Sequence, residues 1–372
     1  MLCMARILLT LAMFLLTAAC GRSDAPQETG SLPGAKKDSA PQPTADGDIT
    51  LTGAGATFPY PLYTKWIAEF QKANSKVKIN YQSIGSGGGI RQITERTVDF
   101  GASDAPMNEE QIGKAAGILH LPTCLGAVVL TYNLEGVPSG LKLTPEAAAH
   151  IFLGKIKKWN DPALQKENPD VKLPDKEIAT VHRSDGSGTT KIFVDYLSAV
   201  SPEWKSGPGT GTSVNWPGGL GAKGNDGVSA LITSTPASIG YIELAYAMQN
   251  KLTFASLKNK SGKFITPSLE STTAAGAGAA ARMPDDLRIS LVDAEGEDAY
   301  PIAGFTYLLV YQEQKDLAKG KVLSSFIKWA MQDGQKFTND LHYAPLPAAV
   351  IEKVNKKLAA LVGPDGKPLL AP

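Results

Sequence analysis

The chain has 372 residues, enough for two domains of ordinary size. Hydrophobic residues make up 43% and charged residues 20%, which excludes wholesale disorder. With 37 lysines and arginines against 36 aspartates and glutamates, the net charge of +1 argues against non-specific nucleic-acid binding, which rests on a basic footprint, and if the ligand is an anion, local geometry must attract it. The 37 glycines point to many tight turns or to close backbone approaches to a ligand.

In chain order, Arg6 precedes an apolar run from Ile7 to Ala19, interrupted only by Thr10 and Thr17. A positive start, a short apolar core and small residues before a cleavage point make residues 1–19 a secretory signal peptide, too short for an ordinary membrane span. Cys20 follows Thr17-Ala18-Ala19, and this arrangement resembles a bacterial lipobox, with Leu16 one position before the usual leucine. It implies lipidation of Cys20; plain cleavage is the alternative. Residues 20–47 then form a lipidated start and a tether rich in Ser, Pro, Ala and Gly that cannot bury a core. Cys3 leaves with the signal, so Cys124 alone remains in the body and no internal disulfide is expected; beside Val128-Val129-Leu130 it reads as a small buried hydrophobe. His120, His150, His182 and His342 lack ligand spacing, so no metal site is expected.

From Ile49 the pattern becomes globular. Leu62, Trp66 and Phe70 predict a helix; Val77, Ile79 and Tyr81 a strand; Ile90 and Ile93 another helix. Ala127–Tyr132 and Phe305–Tyr311 are continuous apolar runs that predict buried strands. Glu177–His182 predicts a strand, Ile192–Val200 a helix stopped by Ser201-Pro202, and Val322, Phe326 and Ala330 a late helix. Residues 271–283 read as a loose loop or an irregular helix. The alternation predicts an α/β fold.

Four segments carry the chemistry. Thr52–Pro59 (TGAGATFP) is a glycine-rich strand-to-helix turn, where free amides and a helix dipole favour an anion. Gly85–Gly89 (GSGGG) repeats the situation, with Ser86 free to cap the helix or to meet a ligand; it lacks the Gly-Lys-Ser/Thr of a Walker loop and the first glycine of a nucleophile elbow. Val98–Pro106 (VDFGASDAP) ends a short strand in Asp104, a residue that by itself reads equally as a turn or cap. His182–Thr190 (HRSDGSGTT) places Arg183 beside Asp185 and follows it with Ser187, Gly188 and Thr189 at a helix start. Four donor types around one arginine make this the most specific of the four.

Together these segments resemble the substrate-binding protein of the bacterial high-affinity phosphate ABC transporter, the PstS type. The stretches TGAGATFPYPLY, YQSIGSGGGIRQI, TVDFGASDAPM, LGKIKKWNDPAL, VHRSDGSGTTKIF, KGNDGVSALI, SIGYIELAYA and GEDAYPI carry the resemblance from about residue 50 onward. It implies phosphate contacts from Thr57, Phe58 (backbone), Ser86, Asp104, Arg183, Ser187, Gly188 and Thr189, with Asp185 supporting Arg183. It implies a two-lobed periplasmic-binding-protein-like (type II) α/β fold with the ligand in the cleft: residues 48–125 plus 302–372 form one lobe, residues 126–301 the other, and strands near 126–133 and 303–311 cross between them. All four segments are then expected at helix N-termini facing the cleft. The second turn departs from the family's frequent Ser-Ser-Gly-Gly, and residues 271–290 match poorly.

The implied role is phosphate capture outside the cytoplasmic membrane, in the periplasm or at the cell surface, and delivery to a membrane permease by a monomer held by its lipid. No cofactor and no catalysis are expected. Asp104 supplies selectivity: an ionised carboxylate only accepts hydrogen bonds, phosphate near neutral pH keeps a proton to donate, and sulfate has none. The rival readings are a secreted phosphatase or phosphotransferase, for which His182 near Ser187 is the only hint; a binding protein for sulfate or molybdate, against which Asp104 argues; and a surface sensor that binds phosphate without delivering it.

Overall fold

The computed structural model describes residues 48–370. The expected signal peptide, Cys20 and the tether to residue 47 lie outside the described residues.

Strand β1 (Ile49–Gly55), helix α1 (Tyr60–Ala73), β2 (Val77–Ser83), α2 (Ser86–Thr94) and β3 (Phe100–Ser103) form successive parallel units, followed by α3 (Glu109–Lys114). Long strand β4 (Ile118–Asn133) leads to β5 (Lys142–Leu143), α4 (Pro145–Phe152), α5 (Pro162–Glu167), β6 (Ala179–Arg183), α6 (Gly188–Val200) and α7 (Pro202–Ser206). Then come β7 (Leu220–Ala222), α8 (Gly224–Ser234), β8 (Ser238–Glu243), α9 (Leu244–Gln249), β9 (Thr253–Phe254), β10 (Ser256–Lys258) and β11 (Phe264–Ile265). The remainder is α10 (Leu269–Gly276), α11 (Ala279–Arg282), β12 (Ala303–Tyr311), α12 (Leu317–Gln332) and α13 (Ala348–Ala359).

One sheet runs β2-β1-β3-β12-β4-β8-β6-β7, with β9 also on β4. Its two ends are parallel (β2, β1, β3 and β8, β6, β7) and its middle, β12 and β4, is antiparallel to its neighbours. β4 joins the two ends: residues 118–127 pair with β12, and Val128 onward pairs with β8, starting at Val128↔Glu243. Helices bury their apolar stripes against this sheet. In α1 the stripe is Leu62, Tyr63, Trp66 and Phe70, and Phe70 meets Phe326 of α12 edge-on at 5.3 Å.

The sequence pattern places the apolar strand at 127–132, but β4 begins nine residues earlier. His120, Pro122 and Thr123 interrupt the apolar run without ending the strand. The register slips opposite Thr306/Tyr307, so Thr123 is an extra residue on β4, and Pro122, which has no N–H to give, sits beside that bulge. Residues 271–283 form α10 and α11, separated at Gly278 with φ 71°, and Ser268 and Ser271 close a capping box at the start of α10. Cys124 is buried and free.

Candidate anion-binding site

The carboxyl ends of β1, β2, β3, β6 and β7 converge, which is where open α/β sheets bind ligands. Each end delivers a segment singled out from the sequence, except that of β7. Thr57 and Phe58 lie between β1 and α1, Ser86 opens α2, Asp104 follows β3, and Arg183 ends β6 while Ser187 caps α6. Thr57, Phe58, Ser86, Asp104, Arg183, Ser187 and Thr189 are all 3% exposed or less.

Contacts link these residues into one cluster. Ser86 Oγ accepts from Asp104 N at 3.2 Å and donates to Asp104 Oδ2 at 3.4 Å. Gly188 lies so close to them that a Cβ there would stand 2.6 Å from both Asp104 Cβ and Ser86 Oγ. Gly87 N donates to Gly186 O at 2.9 Å, so the second and fourth segments touch through backbone. Gly85, at φ 87°, leaves room for Asp185: a Cβ there would fall 2.3 Å from Asp185 Oδ2. Ser187 Oγ accepts from Thr190 N at 3.0 Å, which leaves its hydroxyl hydrogen free to donate. The amides of Phe58 and Gly188 have no acceptor among the described residues.

One open alternative is decided and one expectation is corrected. Ser86 is not the cap of α2; Gly85 is, and Ser86 turns its hydroxyl to Asp104. Helix N-termini stand behind three of the four segments but not behind Asp104, because α3 starts only at Glu109. Asp104 therefore caps no helix of its own; its carboxyl lies instead against the first residues of α2 and α6, where the hydroxyl of Ser86 and the amide of Thr189 hold its pKa down.

Arg183 makes a two-pronged pair with Asp185, Nε to Oδ1 at 2.7 Å and Nη2 to Oδ2 at 2.5 Å. The Arg183 side chain is 1% exposed and that of Asp185 15%. The pair uses one edge of the guanidinium and leaves the rest of the fork for other acceptors. Burial works against the Asp185 carboxylate, but the hydrogen bonds and charge of Arg183 outweigh it and hold the pKa below the usual value. Asp104 is the opposite case. Burial drives its pKa up to about 7, against the hydrogen bond from Thr306, the charge of Arg183 and the hydroxyl of Ser86, all of which lower it.

His182 is not a base for Ser187. Its ring stacks on Trp216 at 4.8 Å, and its Nδ1 lies 3.1 Å from Arg183 O.

Several site residues escaped sequence reasoning. Thr306 Oγ1 donates to Asp104 Oδ1 at 2.9 Å. The signal was present, since Thr306 is the one threonine in the apolar run of β12 and a buried hydroxyl needs a partner. Asn225, second residue of α8, donates from Nδ2 to Thr57 Oγ1 at 2.8 Å and to Thr189 Oγ1 at 3.2 Å. It stands in KGNDG after β7, another strand-to-helix turn. Tyr241 OH accepts from Arg183 N at 3.1 Å and shares a 2.7 Å hydrogen bond with Thr190 Oγ1. Tyr246 and Tyr343 donate to the carbonyls of Thr57 and Phe58, each at 2.6 Å. Glu243 is fully buried: Oε2 accepts from Ala245 N, Oε1 meets no hydrogen-bond geometry among the described residues although Tyr343 lies close enough to influence it, and burial pushes its pKa well up.

A model of the PBP superfamily domain matches residues 38–333. The phosphate-binding protein PstS of Xylella fastidiosa is 44% identical over 348 residues, covering 93% of this chain and 95% of the relative. That of Pasteurella multocida is 47% identical over 322 residues, covering 86% and 93%. Among solved structures, the phosphate-binding protein from Stenotrophomonas maltophilia shares the fold at TM-score 0.65 and 20% identity, covering 83% of this chain and 93% of that one. A substrate-binding protein from Clostridium perfringens, solved with bound phosphate, does so at TM-score 0.59 and 19% identity, covering 80% and 100%. With its strand-end cluster and this breadth of likeness, the chain belongs to the PstS family within the PBP superfamily.

Proposed function

We propose that the chain binds inorganic phosphate in this cluster and delivers it to the permease of an ABC transporter for import. The observation that carries the reading is Asp104: one buried acceptor carboxyl set among donors, with the charge of the nearby arginine offset by Asp185. Taking an oxyanion out of water requires donors for every oxygen. Thr57, Ser187 and Thr189 supply hydroxyls, as does Ser86 once the ligand draws its hydrogen away from Asp104; Phe58 and Gly188 supply amides, and Arg183 supplies the open side of its fork. The helix N-termini behind Thr57, Ser86 and Ser187 add a favourable field.

Asp104 asks the ligand for a hydrogen. Ionised, it accepts the proton that phosphate keeps near neutral pH and faces a bare oxygen if sulfate enters; a site built around such a bond rejects a ligand lacking it by roughly 10⁴–10⁵-fold. Arsenate has the proton and the shape and is rejected less. Isothermal titration of the purified protein with phosphate, sulfate and arsenate tests the reading; tight phosphate binding with weak sulfate binding is expected, and sulfate binding as tight as phosphate overturns it.

The finer parts of the reading are also our own. Residues 48–125 with 302–372 form one lobe and 126–301 the other, with the ligand closed between them; the switch of β4 from β12 to β8 at Ala127/Val128 supports a boundary there. Lipid on Cys20 and the tether to residue 47 hold a monomer at the membrane, in the periplasm or at the cell surface. Cys20→Ala is expected to release the protein from the membrane fraction; retention there argues against the anchor.

A further inference from the structure

Asn225 is fully buried, and both polar atoms of its side chain are bonded. Its side-chain Oδ1 accepts from Glu243 N at 3.1 Å. A backbone N–H can only donate, so this contact fixes which end of the amide is oxygen and turns Nδ2 toward Thr57 and Thr189. Thr57 Oγ1 receives Asn225 Nδ2 at 2.8 Å and also Asn225 N at 3.2 Å. Thr189 Oγ1 receives Asn225 Nδ2 at 3.2 Å and Arg183 Nη1 at 3.5 Å.

A hydroxyl has two lone pairs and one hydrogen. In both threonines the two lone pairs are engaged by N–H donors. Only the O–H is left, and among the described residues neither hydroxyl has an acceptor for it. A free hydroxyl rotor can present lone pairs or hydrogen to a ligand; these two can present hydrogen alone. An oxyanion gains from that restriction, because the orientation is already set before it arrives.

We propose that Asn225 is a positioning residue that locks the Thr57 and Thr189 hydroxyls as donors toward the bound oxyanion. The proposal rests on the phosphate-binding reading above and on the placement of Thr57 and Thr189 in that pocket. Asn225 follows β7 at one end of the sheet and Thr57 follows β1 toward the other, so a single amide ties the two ends together at the site.

The test replaces Asn225 with the isosteric acid, Asn225→Asp. Ionised, the introduced carboxylate accepts from both threonines and turns their hydrogens away from the ligand; protonated, it recovers one donor. The ionisable groups around the position are Glu243 behind it, Arg183 across Thr189, Asp104 beyond Arg183, Asp185 on Gly224 N, Tyr246 on Thr57 O, and its chain neighbours Lys223 and Asp226. Dividing by the wild-type value at each pH removes their shared contribution. Phosphate titrated into Asn225→Asp from about pH 5 to about pH 9 is expected to bind roughly 10- to 100-fold more weakly than to wild type at the alkaline end, with the ratio shrinking toward the acid end. A second measurement separates hydroxyl orientation from simple charge repulsion and does not depend on the acid variant folding. In a double-mutant cycle of Asn225→Ala with Thr57→Val, the Asn225 penalty is expected to shrink by at least about threefold once the hydroxyl is gone. A ratio constant with pH, or strictly additive penalties in the cycle, overturns the proposal. Failure of the wild-type protein itself to bind phosphate overturns the functional reading instead, so the two failures are distinguishable.

Discussion

Thr306 on β12 donates to Asp104 at the end of β3 across 2.9 Å, although 202 residues separate them in the chain. The bond exists because β12 lies against both β3 and β4, and the bulge at Thr123 shifts the register beside it. Thr123 Oγ1 in turn donates to Thr306 O at 3.2 Å, so the strand that holds Asp104 is itself braced. The Thr306 hydroxyl is the largest of the influences that hold the Asp104 pKa down against burial. Thr306→Val is expected to move that pKa above about 7 and to cost about 1–2 kcal/mol of stability, because a buried acceptor loses its donor. Carbonyl-edited NMR titration of Asp104 reads the first effect and chemical denaturation the second.

Gly188→Ala tests the closeness of the cluster. The added methyl would sit 2.6 Å from Ser86 Oγ and from Asp104 Cβ, both rigidly placed. Phosphate binding is expected to fall by more than about 100-fold while the helix content by circular dichroism stays unchanged, since alanine is the better helix former.

Asp185 offsets the charge of Arg183, so phosphate affinity in the wild type leans on hydrogen bonds. Little change in affinity is expected between low salt and molar sodium chloride. Asp185→Asn keeps one acceptor for the guanidinium but removes the counter-charge, and the same titration is then expected to weaken clearly with added salt. Equal salt slopes in the two proteins would contradict this role of the pair.

Glu243 sits fully buried where β4 changes partner. Burial raises its folded pKa, so the folded protein keeps the proton to higher pH than the unfolded chain does. The corresponding stabilisation is complete below the unfolded value and is lost as pH rises through the folded one. Thermal melts of the wild type are therefore expected to fall more steeply than those of Glu243→Gln, which cannot ionise, as pH rises above the ordinary carboxylate range.

Much of this arrangement was legible in the amino-acid sequence. The apolar stripes of α1, α6 and α12 and the runs of β12 and the second half of β4 fixed the α/β class, because buried faces leave a periodic trace. Four glycine- and hydroxyl-rich turns marked the strand ends. The first half of β4 was not legible, because Pro122 and Thr123 look like punctuation when the bulge they form is not known. Asn225 and Thr306 were missed for a related reason: each acts through a partner more than 160 residues away, and only the sheet order brings those partners together. Ser86 was read as a possible cap because capping and ligand binding use the same residue at the same place; only the direction of its hydroxyl tells them apart.

The central claim is that Asp104 recognises its ligand by the hydrogen the ligand carries. Competition between phosphate and sulfate, measured by isothermal titration from about pH 5 to about pH 9 in wild type and Asp104→Asn, tests it most directly. With a pKa of about 7, the wild-type carboxyl is itself a donor on the acid side and an acceptor on the alkaline side. The account predicts that discrimination against sulfate grows as pH rises through neutrality, and that Asp104→Asn loses most of it while weakening phosphate far less. Discrimination that is flat across this range, or that survives the substitution intact, would contradict the account.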